Sequence, residues 1–174
     1  ILIHLLLLLL GTNSYLNIIY AFGFIPDKFP ELPSFVSIFT YQFLHADIFH
    51  LTSNLFFFWF FDPEIEEEFG LLKFTGSYLF CGFVAAIFHL TFGASPDLPL
   101  IGASGAIFGM LGLHLVLSPK SKFYSFFCYK VVLMPAWILS CIYTFLQIFH
   151  ILSNTNSAVA YFAHVGGLVS GIGI

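Results

Sequence analysis

The stretch from Val131 to Ile174 contains no Asp, Glu, Lys or Arg. A helix needs about 20 apolar residues to cross a bilayer, so this stretch has room for two crossings. The stretch from Ile1 to Pro26 also carries no formal charge, and it is long enough for one more crossing. Inside lipid every backbone N–H and C=O group must form a hydrogen bond within the protein. A long apolar segment meets this requirement by folding into a helix. These runs predict an all-α, multi-pass integral membrane protein.

The composition supports this interpretation and excludes one class of partner. Charged residues make up 8% of the chain and hydrophobic residues 59%, with a mean hydropathy of +0.97. A soluble domain usually carries about 25% charged residues, whereas a lipid-facing surface needs very few. The net charge of −4 provides no basic patch. We therefore expect the lipid bilayer as a partner and no nucleic acid.

The remaining apolar runs predict a single six-helix transmembrane domain over residues 1–174. Because the chain starts at Ile1 rather than Met, we expect it to be the trimmed core of a longer protein. Pro30 and Pro33 among aromatic residues, directly after Pro26, make 27–47 a long interfacial first loop. The expected helices are Ile1–Pro26, Ile48–Phe61 with a possible continuation past Asp62-Pro63 to Gly70, Phe74–Ser95, Leu98–Leu117, and two within Val131–Ile174 separated by the polar run Ser153–Ser157.

The five lysines predict an orientation for these six helices. With the N-terminus in the cytoplasm, Lys73 and the three lysines from Lys120 to Lys130 fall in cytoplasmic loops, and only Lys28 lies outside. This agrees with the excess of positive charge in cytoplasmic loops. The loops near Pro96 and Ser153–Ser157 then open to the outer face.

Two polar residues stand among small residues within the predicted helices. Ser104 belongs to Gly102-Ala103-Ser104-Gly105, at the start of the fourth helix. His164 lies about two turns into the sixth helix and shares a face with Gly167 and Gly171. Small residues let helix backbones approach closely, so the two side chains could meet near the outer face as a serine–histidine pair. A small-residue packing patch without chemistry fits the Ser104 segment equally well.

A second polar pair lies at the start of the second helix. His50 and Asn54 are four residues apart and therefore share one helix face, again near the outer end. A lone histidine here would more often be a packed polar residue. Together the two side chains make a pair of donors that an oxyanion hole can use.

In combination these segments resemble the rhomboid intramembrane serine proteases. The resemblance rests on four motifs in the family's order, which cover essentially the whole core: His45-x4-His50-x3-Asn54, Phe61-Asp62-Pro63-x-Ile65-Glu66-x3-Gly70, Gly102-Ala103-Ser104-Gly105 and Ala163-His164-x2-Gly167-x3-Gly171. It implies that Ser104 is the nucleophile and His164 the general base. It also implies that His50, Asn54 and the Ser104 backbone amide hold the oxyanion, with no metal or cofactor. The implied substrates are transmembrane helices, cut near the outer face after a small residue.

The sequence departs from the family pattern at three places. Val36-Ser37 occupy the position of a Trp-Arg pair found in many bacterial members. Phe108 stands where some members have a tyrosine that packs on the catalytic histidine, and Asp62 replaces a commoner glycine. None of these changes removes a reacting group, so we expect the first two to affect stability or substrate preference.

The residues themselves favour a dyad over a triad. No Asp or Glu follows Asp97 in the sequence, so no carboxylate from the later helices can orient His164. The imidazole must be neutral to accept the Ser104 proton. Ser104 near a helix N-terminus places the positive end of the helix dipole at the developing oxyanion. Hydrolysis also requires a water-filled cavity open to the outer face.

Two other interpretations remain. The other histidines, His4, His89, His114 and His150, could belong to a metal site or a proton relay of a transporter, but no HExxH motif and no partner carboxylate within a span accompany them. A catalytically inactive rhomboid-like protein that binds membrane proteins is the closer rival. Retention of both Ser104 and His164 favours the protease.

Overall fold

The structure is a computed structural model that describes residues 12–93, 95–127, 130–153 and 160–174. It is mostly helical, as the apolar runs predict. The N-terminal half of the first expected helix and most of the Ser153–Ser157 divider lie outside the described residues. The helices are α1 Thr12–Phe22, α2 Leu32–Thr40, α3 Ile48–Phe69, α4 Leu71–Phe92, α5 Ser104–Leu117, α6 Ala136–Leu152 and α7 Tyr161–Ile172, with 3-10 turns at Pro26–Lys28 and Tyr41–Phe43 and strands β1 Lys122–Phe127 and β2 Lys130–Pro135.

The hairpin of β1 and β2 shows that the all-α prediction was wrong in one place. The strands are antiparallel, with Lys122 opposite Pro135 and Phe127 opposite Lys130. The segments are rich in aromatic and β-branched residues, which favour extended backbone over helix. The fifth expected helix therefore begins at Ala136 rather than Val131, with Pro135 as its N-cap.

The helix expected over Leu98–Leu117 begins only at Ser104. The preceding segment is extended because it bonds to the chain that follows α1: Leu100 and Phe24 exchange two backbone hydrogen bonds, of 2.7 and 3.1 Å. Gly102 has a φ of +111°, which residues with a side chain rarely adopt. Ser104 thus sits on the first turn of α5, directly after a strained corner.

The expected long loop over 27–47 contains α2 and both 3-10 turns, so it is more regular than predicted. Its polar Ser34 and Ser37 are buried, whereas the apolar Leu32 and Phe35 on the same helix are exposed. Such an arrangement, reversed from that of a soluble protein, suits a segment at a lipid interface.

Helix α3 continues through Asp62-Pro63 to Phe69, which confirms the longer of the two predicted ends. Gly70, with a φ of +73°, separates it from α4. Within the described ranges, α4 is the one helix long and apolar enough to cross a membrane. Helices α5, α6 and α7 are apolar but have 14, 17 and 12 residues. The arrangement of six crossings therefore stays a prediction.

Helices α5 and α7 pack backbone against backbone, as the glycine pattern predicts. A Cβ atom at Gly167 would collide with the carbonyl oxygen of Gly105, and one at Gly171 would collide with that of Gly109. Helix α4 packs against α5 through the small buried residues Cys81 and Ala85, and against α7 through Phe88, which lies next to Gly166. This close three-helix contact fixes the separation of the side chains that α5 and α7 carry.

Candidate active site

Ser104 and His164 meet near the N-terminal ends of α5 and α7. Ser104 is the first residue of α5 and is half-buried, and His164 is the fourth residue of α7 and is buried. The Nε2 atom of His164 lies 2.8 Å from the Ser104 Oγ. His164 is one turn into its helix rather than two, because α7 starts later than expected. This distance is within reach of proton transfer between a hydroxyl and a base.

The imidazole of His164 contacts an aromatic ring as well as the Ser104 hydroxyl. Phe108, one turn after Ser104 on α5, stacks on it with ring centroids 4.6 Å apart and an interplanar angle of 6°. Tyr161 meets the same imidazole edge-on at 6.4 Å. The predicted stacking surface at Phe108 is therefore present.

A residue that the sequence analysis missed contacts the other nitrogen of the same ring. The Nδ1 atom of His164 lies 2.8 Å from the Oε1 atom of Gln147, on α6. A glutamine within an uncharged apolar run is costly and could have been singled out for that reason. Nothing in its spacing, however, indicated that α6 turns this side chain toward His164.

His50 and Asn54 lie beside the corner that precedes Ser104. A Cβ atom at Gly102 would be 2.7 Å from His50 Nε2 and 3.9 Å from Asn54 Nδ2, so glycine at this position makes room for both side chains. The backbone amide of Ala46 donates to His50 Nδ1 at 3.4 Å. The ring proton therefore resides on Nε2, the nitrogen that faces Gly102.

Local hydrogen bonds hold the start of α3 and the corner in place. The Asp47 carboxylate caps α3 by accepting from the His50 backbone amide at 2.7 Å. The Gly102 amide donates to the Tyr41 carbonyl at 3.0 Å, and the Tyr41 hydroxyl donates to the Gly82 carbonyl at 2.7 Å. Burial raises the pKa of Tyr41, so its hydroxyl stays protonated as a donor. The first loop thereby ties the corner to α4.

A cavity of about 200 Å³ opens beside Ser104. It has room for water, since one molecule occupies about 30 Å³ in the liquid. Its lining combines the candidate nucleophile and amides with aromatic rings: Asn54, Phe57, Ser104, Phe108, Tyr143 and Gln147, together with Ile107 and Leu111. A cavity next to the dyad is what the hydrolytic interpretation requires.

The described histidines outside the motifs do not line this cavity, whereas His45 packs edge-on against His50 at 5.1 Å. His114 is buried in α5, His150 stacks on Tyr161 at 5.0 Å, and His89 lies in the last turn of α4. His4 lies outside the described residues. Within the ranges that the structure describes, no three His, Cys, Asp or Glu side chains are grouped closely enough to hold a metal ion.

Comparison with known proteins identifies the family that this sequence matches. Residues 33–174, most of the chain and all of the site, match the family model described as the rhomboid domain.

Three relatives illustrate the similarity. RHOMBOID-like protein 1 of Arabidopsis thaliana is 31% identical over 77% of this chain, and rhomboid protease GluP of Bacillus subtilis is 28% identical over 98% of it. Rhomboid-like protease 1 of Toxoplasma gondii is 40% identical over 42% of the chain. The matched regions cover 32%, 31% and 25% of these relatives, so this chain spans about a third of their length or less.

Proposed function

Because the chain belongs to the rhomboid family, whose members are integral membrane proteins, we propose that it is an intramembrane serine endopeptidase that works through a Ser104–His164 dyad. The observation that carries the proposal is the 2.8 Å separation of Ser104 Oγ and His164 Nε2 beside a cavity with room for water. Two relatives are named as proteases, which supports the same chemistry.

The first half of the reaction forms an acyl-enzyme. Ser104 Oγ attacks the carbonyl carbon of the scissile peptide while its proton passes to His164 Nε2. The carbonyl oxygen becomes an oxyanion, and the C–N bond then breaks as His164 returns the proton to the leaving amine. A water molecule in the cavity hydrolyses the ester by the same proton transfers in the second half. The reaction consumes one water and regenerates the Ser104 hydroxyl.

Three donors are available for the oxyanion. The backbone amide of Ser104 is in the first turn of α5, where no helical carbonyl accepts from it. His50 Nε2–H and the amide of Asn54 approach from α3 beside Gly102. Donors aimed at a charge that develops in the transition state contribute more to the rate than donors to the resting substrate. The N-terminus of α5 adds its positive dipole end at the same point.

The membrane arrangement is the second part of the proposal. Six crossings with a cytoplasmic N-terminus place most lysines inside, in agreement with the positive-inside rule. The site then opens to the outer face, and the substrates are transmembrane helices of other membrane proteins, cut near their outer ends. The exposed apolar face of α2 fits a first loop that rests in the interface on the same side.

Labelling with a fluorophosphonate tests the chemistry independently of the substrate. We expect the wild-type protein in detergent micelles to be labelled, Ser104→Ala to lose the label, and the fold of the variant to be intact because alanine fits beside Gly105. Ser53→Ala is the matched control, since this half-buried serine donates to the Phe49 carbonyl of its own helix and does not line the cavity. A wild-type protein that is folded but neither labelled nor able to cut a model transmembrane substrate would instead support the inactive, binding alternative.

A further inference from the structure

Gln147 lies on the side of the His164 ring opposite to Ser104. Its Oε1 atom is 2.8 Å from Nδ1, while Ser104 Oγ is 2.8 Å from Nε2. Both ring nitrogens thus have a polar partner, and the ring also stacks on Phe108 and meets Tyr161 edge-on. The side chain reaches the ring from α6, a different helix from those that carry the dyad.

The chemistry of a general base fixes what this contact does. For Nε2 to accept the serine proton, its lone pair must be free, so the ring hydrogen resides on Nδ1. That N–H donates to Gln147 Oε1, which can only accept. The contact therefore selects the reactive tautomer and sets the angle of the ring toward Ser104.

The composition of α6 and α7 explains why the acceptor is a glutamine rather than a carboxylate. No Asp or Glu follows Asp97, and α6 and α7 carry no charged residue, so no carboxylate is available from these helices. An amide oxygen supplies the acceptor without bringing a charge into an apolar helix, where an ionised side chain is costly.

We propose that Gln147 is the positioning residue of the catalytic base, so that the dyad is completed by a neutral third member. This inference rests on the proposed proteolytic function. It predicts that Gln147 acts on the chemical step rather than on substrate binding, although the side chain also lines the cavity.

The test replaces the acceptor while keeping the shape of the side chain. Gln147→Met has a similar length and no acceptor of comparable strength, and Gln147→Leu is a second apolar variant should the first misfold. We expect kcat for a transmembrane substrate to fall roughly 10- to 100-fold with KM little changed, because an unoriented base loses part of the roughly 100- to 10,000-fold that it supplies. Gln147→Glu retains an oxygen acceptor and should recover most of kcat.

The controls separate this inference from the function on which it rests. Ile148→Ala truncates the next residue, which is exposed on α6, and should leave kcat unchanged. A wild-type rate in folded Gln147→Met and Gln147→Leu overturns the positioning role, as does a change confined to KM or a Glu variant no better than Met. If wild-type protein neither cuts substrate nor reacts with fluorophosphonate, the proposed function itself fails.

Discussion

Phe108 lies flat against His164, with the two rings 4.6 Å apart and only 6° from parallel. Both residues are held by the close contact of α5 and α7, so the ring has little freedom to turn away from Ser104. Phe108 also contacts Tyr143 of α6 edge-on at 6.4 Å. The stack therefore links the base to the wall of the cavity.

Removing the stack should loosen the base without removing any reacting group. An aromatic pair contributes about 0.5–1.5 kcal/mol, so Phe108→Leu should lower kcat by about 2- to 10-fold. Phe108→Tyr keeps the ring and should retain activity close to wild type. Initial rates on a transmembrane substrate over a range of concentrations measure both. Equal rates for Leu and wild type would show that stacking does not orient His164.

The dyad predicts non-additive losses. Ser104→Ala and His164→Ala should each abolish proteolysis, and the double variant should be no worse than either, because the two residues act as a unit. The measurement is cleavage in a sensitive end-point assay, with His89→Ala as a histidine control away from the cavity. If the losses instead add, His164 has a structural role and does not serve as the base.

The oxyanion assignment makes a separate prediction for α3. Asn54→Ala should lower kcat roughly 10- to 1,000-fold with KM little changed, since the lost donor acts on the developing charge. Asn54 Nδ2 also donates to the His50 carbonyl at 3.0 Å within its own helix, so a thermal unfolding curve must accompany the kinetics. A variant in which KM alone rises would make Asn54 a contact for the substrate.

The contact between Ser104 and His164 could be predicted from the sequence because its determinants are local. Ser104 and His164 each stand in a run of small residues, and Gly167 and Gly171 share the face of His164, which fixes the contact of α5 with α7. The second helix was correctly predicted to start at Ile48, and the structure adds that Asp47 is its N-cap.

The missed features depend on long-range partners. Leu98–Ala103 is apolar enough for a helix, but its backbone bonds to Phe24, which lies some 75 residues earlier, a pairing that no local pattern shows. The hairpin is hidden in the same way within an apolar run, because hydropathy does not distinguish strand from helix. Gln147 contacts His164 through the packing of α6 against α7, which is another long-range relationship.

The last prediction concerns how a substrate helix reaches Ser104. Bulky side chains on the second and fifth expected helices are candidates for a gate between them: Phe56, Phe57, Trp59 and Trp137. Phe57 on α3 meets Tyr143 on α6 edge-on at 5.4 Å, and both line the cavity. The other three are exposed, Trp59 most of all at 74%. The Phe57–Tyr143 contact therefore bridges α3 and α6 beside the cavity.

Trimming this pair should open a lateral path. We expect Phe57→Ala to speed cleavage of a transmembrane substrate more than that of a small soluble ester, while Trp59→Ala, at an exposed position on the same helix, changes neither.

The last prediction also concerns the substrate helix itself. The scissile carbonyl of a stable helix is bonded to an amide four residues on, so the substrate must unwind before attack. Glycine and proline lower the cost of unwinding by about 1 and 3 kcal/mol relative to alanine, and substrates that contain them near the cut should be preferred. The test compares the cleavage rates of glycine-containing and leucine-only substrates in the same bilayer. Equal rates would refute this account of specificity, even if Ser104 and His164 were shown to be the catalytic residues.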